Sequence, residues 1–454
     1  MTGLIASSTT MGAVVGTATC GKICDWVGRQ RALVISSVFF LIGGALMSWS
    51  PGVKVLLGGR FLGGVAAGIV SAAVPIYIAE CADPEQRGKL STLPQLCVST
   101  GILLSYLVGL ASLVLGQSWR LMLGLSLVPA TLQAAVVLTL PESPRWLLSR
   151  RRDPVAARAA LSQLRGHDDV DAELQTMREG LEKEAARSSA KPAGANGPVS
   201  GGGGAGLLSL WRDAASRRAL LVCSALQLFQ QFCGVNAIVY FTPIILRQAG
   251  AHSLFTSMGL SMDVAAMLAT VLAYLPKIPS VLLASALIDN KGRRWMLLKF
   301  IPPLALCLAV LAATVGGAGP AVAAGSGAAS VLTAAAATAA VTLFGIFFGM
   351  SLGPLPNILA AELFPTHTRA AGVSATTTVQ WLSNMVVAAT FPYAAATLGM
   401  RAVLNGFAAV CVLAFAVVIA FVPETKGMAL EDIASSSSAS AKPPSSVTEA
   451  DKSD

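Results

Sequence analysis

The chain has 454 residues, of which 54% are hydrophobic and 12% are charged, and its mean hydropathy is +0.68. Soluble domains carry roughly 45–50% apolar and about 25% charged residues, so these values exclude a water-soluble globule. The formal net charge is +9, but Lys and Arg stand between apolar segments and do not share an amphipathic face with aromatic residues. This distribution argues against nucleic acid as a partner.

Apolar runs bounded by charged residues predict membrane-spanning helices of about 20 residues each. Eleven such runs occur, at 2–20, 32–49, 54–77, 90–115, 119–140, 219–246, 257–287, 296–316, 328–358, 370–394 and 402–422. The first run follows Met1 without a basic region or a small-residue cleavage site, so we expect a mature helix there and not a removable signal peptide.

The basic residues predict the orientation of these helices. The loops at 21–31, 78–89, 141–218, 288–299 and 362–369, with the tail after 422, hold 26 of the 32 Lys and Arg residues. The positive-inside rule places these loops in the cytosol.

Composition divides the chain into four predicted parts. Residues 1–140 form a bundle of five helices, 141–218 a cytosolic loop, 219–422 a bundle of six helices, and 423–454 a disordered Ser-rich tail. Within the loop, 154–187 has helical spacing suited to the membrane surface, whereas Ser188 to Gly206 reads as a flexible linker.

Three motifs occur twice in the same order. Asp25-x-x-Gly28-Arg29 recurs as Asp289-x-x-Gly292-Arg293, Glu80 with Arg87 recurs as Glu362 with Arg369, and Pro141-Glu142-Ser143 recurs as Pro423-Glu424-Thr425. The separations are 264, 282 and 282 residues, which indicates a duplicated helix bundle. Two repeated bundles are typical of secondary transporters.

The repeat predicts six helices in each half, whereas the first half shows five. An odd number of helices also places Met1 on the side opposite the cytosolic tail. We therefore expect the first helix of a twelve-helix plan to be missing at the N-terminus, either because the chain is incomplete or because it is a degenerate facilitator.

Six motifs in order resemble the sugar porter branch of the major facilitator superfamily: Gly28-Arg29, PESPRW from Pro141, QQFCGVN from Gln230, DNKGRR from Asp289, the Glu362 to Arg369 box and PETKG from Pro423. PIYIAE, LPQ, SWRLMLG, GPLPN and VPETKGM look most like the plant and algal tonoplast monosaccharide transporters, also called monosaccharide-sensing proteins. The resemblance implies an all-α polytopic membrane protein with the major facilitator fold.

The resemblance implies transport of monosaccharides, in particular glucose-like hexoses, by alternating access, with proton coupling in the complete protein. Its partners are then a monosaccharide, protons and the lipid bilayer, and its location is the vacuolar membrane in preference to the plasma membrane. Two alternatives stay open: a sugar sensor that does not transport, and an uncoupled facilitator of hexoses, polyols or inositol.

No enzymatic or metal-binding pattern is visible in the sequence. The eight cysteines include no C-x-x-C pair, and the three histidines are far apart. No nucleophile or paired-carboxylate constellation occurs either. We predict no cofactor, no metal site and no catalytic residue.

A sugar is neutral and covered with hydroxyl groups, so amides that both donate and accept are suited to bind it. Gln227, Gln230 and Gln231 share one helix face, and Asn236 joins them if the helix loosens near Gly234. The resemblance assigns sugar contacts to Gln95, Gln230, Gln231, Asn236, Tyr240, Asn357, Gln380, Trp381 and Asn384. Packing roles stay open for Gln227 and Trp381, and a wider pocket is the alternative at Asn357.

Charged residues of the repeats stand at the cytosolic helix ends. They are Asp25, Arg29, Glu80, Arg87, Glu142, Arg145, Asp289, Arg293, Glu362 and Arg369. We expect them to form a cytosolic gate by pairing across the two halves when that side closes. The alternative is ordinary helix-end charge facing solvent and headgroups.

Two cations lie inside apolar segments, where a charge is costly unless it is paired. Arg60 is the proton-coupling candidate, because in proton-coupled sugar porters this arginine acts on a carboxylate of the first helix. Should the chain couple protons as it stands, Asp263 is the first candidate carboxylate. Lys277, in LPKIPS, either lines the cavity or reflects local helix breaking.

Overall fold

The computed structural model describes residues 2–83, 87–189, 210–211, 214–248, 259–316, 328–364 and 366–425. All regular structure within these ranges is helical. The predicted linker from Ser188 onward and the tail after 425 fall largely outside the described residues.

The first half begins with six helices, of which α5 and α6 together form one span. They are α1 (Thr2–Val27), α2 (Arg29–Ser48), α3 (Val53–Cys81), α4 (Arg87–Leu115), α5 (Trp119–Gly124) and α6 (Leu127–Thr139).

Three helices follow in the predicted cytosolic loop: α7 (Pro144–Trp146), continued by a π-helical turn at Leu147–Arg151, then α8 (Pro154–Arg165) and α9 (Asp171–Ser189). The helical spacing read over 154–187 corresponds to the two helices α8 and α9. Asp153 caps the start of α8 by accepting from the Ala156 amide, and Gly166 ends it in the left-handed conformation, which favours glycine.

The second half contains α10 (Ala214–Phe232), α11 (Val235–Gln248), α12 (Met262–Tyr274), α13 (Lys277–Lys291), α14 (Arg293–Gly316), α15 (Ala328–Met350), α16 (Leu355–Leu363), α17 (Thr366–Thr397) and α18 (Met400–Phe421). Three spans are broken in the middle, giving the pairs α10–α11, α12–α13 and α15–α16.

Each of the eleven predicted spans overlaps a helix or a broken pair of helices within the described residues. Within the described residues, nine segments are long and apolar enough to cross a membrane. The other two predicted spans are α1 and α17, which are long helices rich in Ser and Thr. These two helices pack against each other across the halves, so their polar side chains find partners inside the protein.

Each half has its own hydrophobic core. In the first, α1 and α2 pack on α3 around a cluster that includes Cys20, Leu33 and Ile69. In the second, a larger cluster joins α10 to α18 and includes Leu226, Met296 and Leu359. Two separate cores agree with two bundles built from a repeated unit.

The halves also touch near their predicted cytosolic ends. The Thr92 hydroxyl of α4 donates to the Ser285 hydroxyl of α13 at 3.0 Å. In a second contact, the Ser374 hydroxyl of α17 donates to the Thr17 carbonyl of α1 at 3.0 Å. These contacts hold the bundles together at that end.

Glycines bring α1 and α3 into backbone contact. A Cβ at Gly64 would collide with the Thr9 carbonyl, and one at Gly68 would collide with the Ala13 carbonyl. Gly63, the neighbour of Gly64 on the same helix, faces open space. Close approach of this kind is what small residues provide in membrane helices.

We therefore predict that Gly64→Val lowers the stability of the first bundle by about 1–3 kcal/mol, the usual cost of overpacking. The matched control is Gly63→Val, which makes the same chemical change where the added side chain has room. Thermal unfolding of the purified protein in detergent measures both variants. Equal melting temperatures for the two would contradict the packing shown at Gly64.

Candidate transport site

The predicted gate residues of the first half form one cluster at the predicted cytosolic end of α2. The Arg29 guanidinium is 3.0 Å from Glu80 and 3.6 Å from Asp25. Glu142 accepts from the backbone amide of Arg29 at 2.8 Å, and Ser143 donates to Glu80 at 2.5 Å. A carboxylate at a helix N-terminus satisfies amides that have no partner within the helix.

The second half repeats three of these bonds. Arg293 pairs with Glu362 at 2.8 Å, Glu424 accepts from the Arg293 amide at 2.9 Å, and Thr425 donates to Glu362 at 2.6 Å. The glycines before the two arginines, Gly28 and Gly292, have φ of 107° and 92°. The motif repeat read from the sequence is therefore also a repeat of geometry.

The expected pairing of these residues across the halves differs from what the structure contains. Among the described residues, the ion pairs of Arg29 and Arg293 stay within their own half. The reason is geometric: each arginine begins a helix directly beside the acidic helix end of its own repeat.

Of the other predicted gate residues, Arg145 has a described contact. Arg145 lies on α7 and interacts electrostatically with Glu173 of α9. The side chains of Arg87, Asp289 and Arg369 lie outside the described part of the chain, so their pairing stays a prediction.

The amides predicted to bind sugar meet where α10 ends and α11 begins. Gly234 has φ of 83°, a conformation that favours glycine, and it separates Phe232, the last residue of α10, from Val235, the first of α11. The predicted loosening at Gly234 is thus present, and it brings Asn236 to Gln231, whose side-chain oxygen accepts from the Asn236 amide.

Gln230 is the centre of the resulting network. Its amide nitrogen donates to the carbonyls of Leu352 and Gly353 at 2.7 and 2.8 Å. Its oxygen accepts from Gln231 at 3.0 Å and from Gln380 of α17 at 2.9 Å. Both N–H hydrogens and both oxygen lone pairs of the Gln230 amide are used. Gln231, Asn236 and Gln380 each keep hydrogen-bond donors or acceptors that these bonds do not use.

A second amide pair joins α10 to α16. Gln227, which is fully buried, donates to the Asn357 oxygen at 2.7 Å. This agrees with the packing role considered for Gln227, and it occupies one acceptor position of Asn357. The Gln227 oxygen itself has no hydrogen-bond partner within the described residues.

Tyr240 and Asn384 lie together beyond this network. The Tyr240 side chain is beside the Asn384 amide and is about half exposed. The Asn384 oxygen is buried and has no hydrogen-bond partner among the described residues. An unsatisfied buried acceptor is unusual and indicates a place for a bound hydroxyl or water.

The two remaining predicted sugar contacts are Trp381 and Gln95. Trp381 donates its indole N–H to Ser71 of α3 at 3.0 Å and so joins the two halves. Gln95 is half-buried on α4.

The structure changes the interpretation of two charged residues. Arg60 on α3 interacts electrostatically with Tyr240, so its side chain has a neighbour in the other half. Asp263 is exposed at the start of α12 and pairs with Arg247 at 2.9 Å. Asp263 is therefore a surface residue and a poor candidate for the coupling carboxylate.

Three contributors to the site were missed by the sequence. Leu352 and Gly353 contribute carbonyls that are free because the helix stops between α15 and α16. The signal for this break was available in the two prolines of GPLPN, which disfavour continuous helix. Nothing in the sequence marked Ser71 as the partner of Trp381.

Comparison with known proteins supports the family resemblance of the sequence along nearly the whole chain. Residues 1–436 match the family described as "Sugar (and other) transporter". Plastidic glucose transporter 4 of Arabidopsis thaliana is 33% identical over 434 residues, covering 95% of this chain and 72% of the relative. Monosaccharide-sensing protein 2 of Arabidopsis thaliana is 26% identical over 677 aligned positions, covering 95% of this chain and 92% of the relative.

A solved structure supports the fold. The proton:xylose symporter XylE, a major facilitator superfamily protein from E. coli, bound to 6-bromo-6-deoxy-D-glucose, superposes with a TM-score of 0.75 at 25% identity, covering 95% of this chain and 88% of that one. The chain therefore belongs to the sugar transporter family of the major facilitator superfamily, whose members are transporters and not enzymes.

Proposed function

We propose that this protein carries monosaccharides across a membrane by alternating access, with glucose-like hexoses as its substrates. The observation that carries the proposal is the continuous amide network Gln380–Gln230–Gln231–Asn236 at the broken span α10–α11. Uncharged groups with spare donors and acceptors match a neutral ligand covered with hydroxyls.

In this proposal the sugar binds by exchanging amide–amide hydrogen bonds for amide–hydroxyl bonds. Gln231 and Asn236 hydrogen-bond each other, and Asn384 offers a buried oxygen without a partner among the described residues. A hydroxyl that donates to Asn384 removes the cost of leaving that oxygen unsatisfied. Tyr240, about half exposed beside it, closes over the sugar.

The short helix α16 connects the sugar site to the cytosolic end. At its beginning, Gln230 holds the carbonyls of Leu352 and Gly353, and at its end, Glu362 is held by Arg293. Rearrangement of the amides on sugar binding therefore acts on the same helix that carries the cytosolic cluster. We propose that α16 moves during the switch between the outward and cytosolic openings.

Two alternatives lead to different measurements. A sensor binds sugar without transport, whereas a transporter shows saturable exchange of radiolabelled sugar in sealed vesicles. An uncoupled facilitator exchanges sugar without accumulating it, and competition by polyols or inositol identifies its substrate class. Coupling to protons is part of the proposal, and the similarity to a proton:xylose symporter supports it.

We further propose the vacuolar membrane as the location and the tonoplast monosaccharide transporters as the branch. The similarity to a monosaccharide-sensing protein and the motifs PIYIAE and VPETKGM support this placement. A fluorescent fusion expressed in its native cell type tests it, and signal at the plasma membrane or in plastids would refute it.

We predict that Gln231→Ala and Asn236→Ala each weaken sugar affinity by about 0.5–1.5 kcal/mol, the net contribution of one hydrogen bond. The measurement is the half-saturation concentration for sugar exchange in proteoliposomes, which should rise in each variant.

The control for these variants is Gln133→Ala. Gln133 is also an amide inside the protein, but it donates to Ser36 and Ser37 of α2, within the first bundle. We expect its half-saturation concentration to match the unaltered protein. Unchanged affinity in both site variants would remove Gln231 and Asn236 from the sugar site.

We predict that Glu362→Gln shifts the protein toward the cytosol-open state, because it removes the charge that holds the end of α16 to Arg293. A cysteine placed at Ser285, which contacts Thr92 across the halves, reports on opening. The exposed Cys97 is replaced by serine throughout. Labelling should speed up by as much as about tenfold, the population shift that ~1.4 kcal/mol produces.

The control is Glu173→Gln, which removes a cytosolic carboxylate paired with Arg165 at 2.7 Å between α8 and α9. Its labelling rate should equal that of the reporter protein alone. If Glu362→Gln lowers thermal stability without changing the labelling rate, the cluster only fastens the helix ends together and does not take part in gating.

A further inference from the structure

Lys277 is a cation buried in the middle of a membrane span. It is the first residue of α13, just after the break that ends α12, and 3% of it is exposed. The span runs from Met262 to Ile288, so Lys277 lies near its centre. A charge at that depth is costly and, where it occurs, usually has a functional reason.

The side chain lies among aromatic rings. Its ammonium donates to the Tyr274 hydroxyl at 3.0 Å and lies 4.8 Å from the centre of the Tyr274 ring and 5.4 Å from that of Phe348. Such contacts stabilise a cation through the negative faces of the rings. A cavity of about 20 Å³ beside it, also bordered by Thr242 and Thr270, has room for about one water molecule.

The surrounding elements supply titratable groups but no carboxylate. Tyr274 contacts the ammonium directly, Tyr106 of α4 packs behind Tyr274, and Cys233 lies before α11. The packed spans α4, α10–α11, α12–α13 and α15–α16 carry Asp or Glu only near their ends, at Asp263, Asp289 and Glu362. The charge of Lys277 is thus held without a counter-ion from these spans.

A chain of side chains connects Lys277 to the first half. The Tyr274 ring meets the Tyr106 ring edge-on at 5.4 Å, and the Tyr106 hydroxyl donates to the Val239 carbonyl of α11. The Tyr274 hydroxyl also lies beside Ser99 of α4, whose buried oxygen has no hydrogen-bond partner among the described residues.

We infer that Lys277 takes up and releases one proton during the transport cycle and that its charge controls the contact between α4 and α12–α13. The inference rests on the proposed function. When the amine is protonated, it donates to the Tyr274 oxygen, and the Tyr274 proton is available to Ser99 on the other half. When the ammonium gives its proton to water in the adjacent cavity, the neutral amine accepts the Tyr274 proton instead. Tyr274 then has no proton to offer to Ser99 of α4, and the attraction between the cation and the rings is lost as well.

The coupling to sugar follows from the position of α11. This helix carries Asn236 and Tyr240 of the proposed sugar site, and its Val239 carbonyl accepts from Tyr106. A change at Tyr274 and Tyr106 therefore reaches the helix that contacts sugar. Protonation and sugar binding then favour the same arrangement of the halves, which is the requirement for symport.

Two substitutions fix the charge in opposite states. Lys277→Arg keeps a permanent positive charge, because a guanidinium does not release its proton in proteins. Lys277→Met removes the charge and keeps a long unbranched side chain. Each variant and the unaltered protein are reconstituted in proteoliposomes, where sugar exchange at equal pH and accumulation driven by a pH gradient are measured separately.

We expect both variants to exchange sugar at equal pH but to lose accumulation, with the inside-to-outside ratio falling to about one, the value without coupling. Exchange should also lose its dependence on pH. The control is Lys54→Met, which removes an exposed lysine at the start of α3 and should leave accumulation unchanged.

Gradient-driven accumulation that persists in either folded variant would overturn the inference. It would also be overturned if the unaltered protein exchanged sugar without responding to a pH gradient, although sugar transport by alternating access would then stand without its proton coupling. Absence of exchange in the unaltered protein would instead refute the proposed function. Should Lys277→Met fail to fold, Lys277→Arg gives the decisive measurement.

Discussion

The interior of a membrane offers no water to polar groups, so each one must find a partner within the protein. In this chain the constraint selects a small number of polar side chains in the spans and places them together. Gln230 shows the result, since its amide makes four hydrogen bonds: one to Gln231 of the same helix, one to Gln380 of α17 and two to the break between α15 and α16. Removing such a partner costs more than the hydrogen bond itself is worth, because the remaining group stays buried.

Burial inside the protein imposes the same need for partners on the duplicated clusters at the predicted cytosolic ends, where Arg29 is 8% exposed. Each of α2 and α14 begins with amides that have no partner within the helix, and Glu142 and Glu424 satisfy them. The arginine that starts each helix is then paired with the acidic end of a neighbouring helix in the same half. The repeat therefore provides the same solution to one physical problem in both halves, and the two halves differ elsewhere.

The structural difference lies in the broken spans of the second half. A continuous helix uses its own carbonyls, whereas the break between α15 and α16 leaves those of Leu352 and Gly353 free to hold Gln230. The break between α12 and α13 similarly places Lys277 among aromatic rings. Three residues of the first half, on α3 or α4, contact these segments of the second half. Ser71 accepts from Trp381, and Ser99 and Tyr106 lie beside Tyr274.

The sequence by itself determined the helical membrane fold, the positions of the eleven spans and the repeat, because these follow from apolar length and motif spacing. It also located the amides of α10 and the loosening at Gly234. Spacing along a helix and the conformational freedom of glycine depend only on residues that are close in the chain. Only the tertiary structure decided which groups meet. Arg29 and Arg293 pair within their halves, and Trp381 binds Ser71, because helix packing sets distances between residues far apart in the chain. The surroundings of Lys277 depend in the same way on four spans at once, which no local pattern can encode.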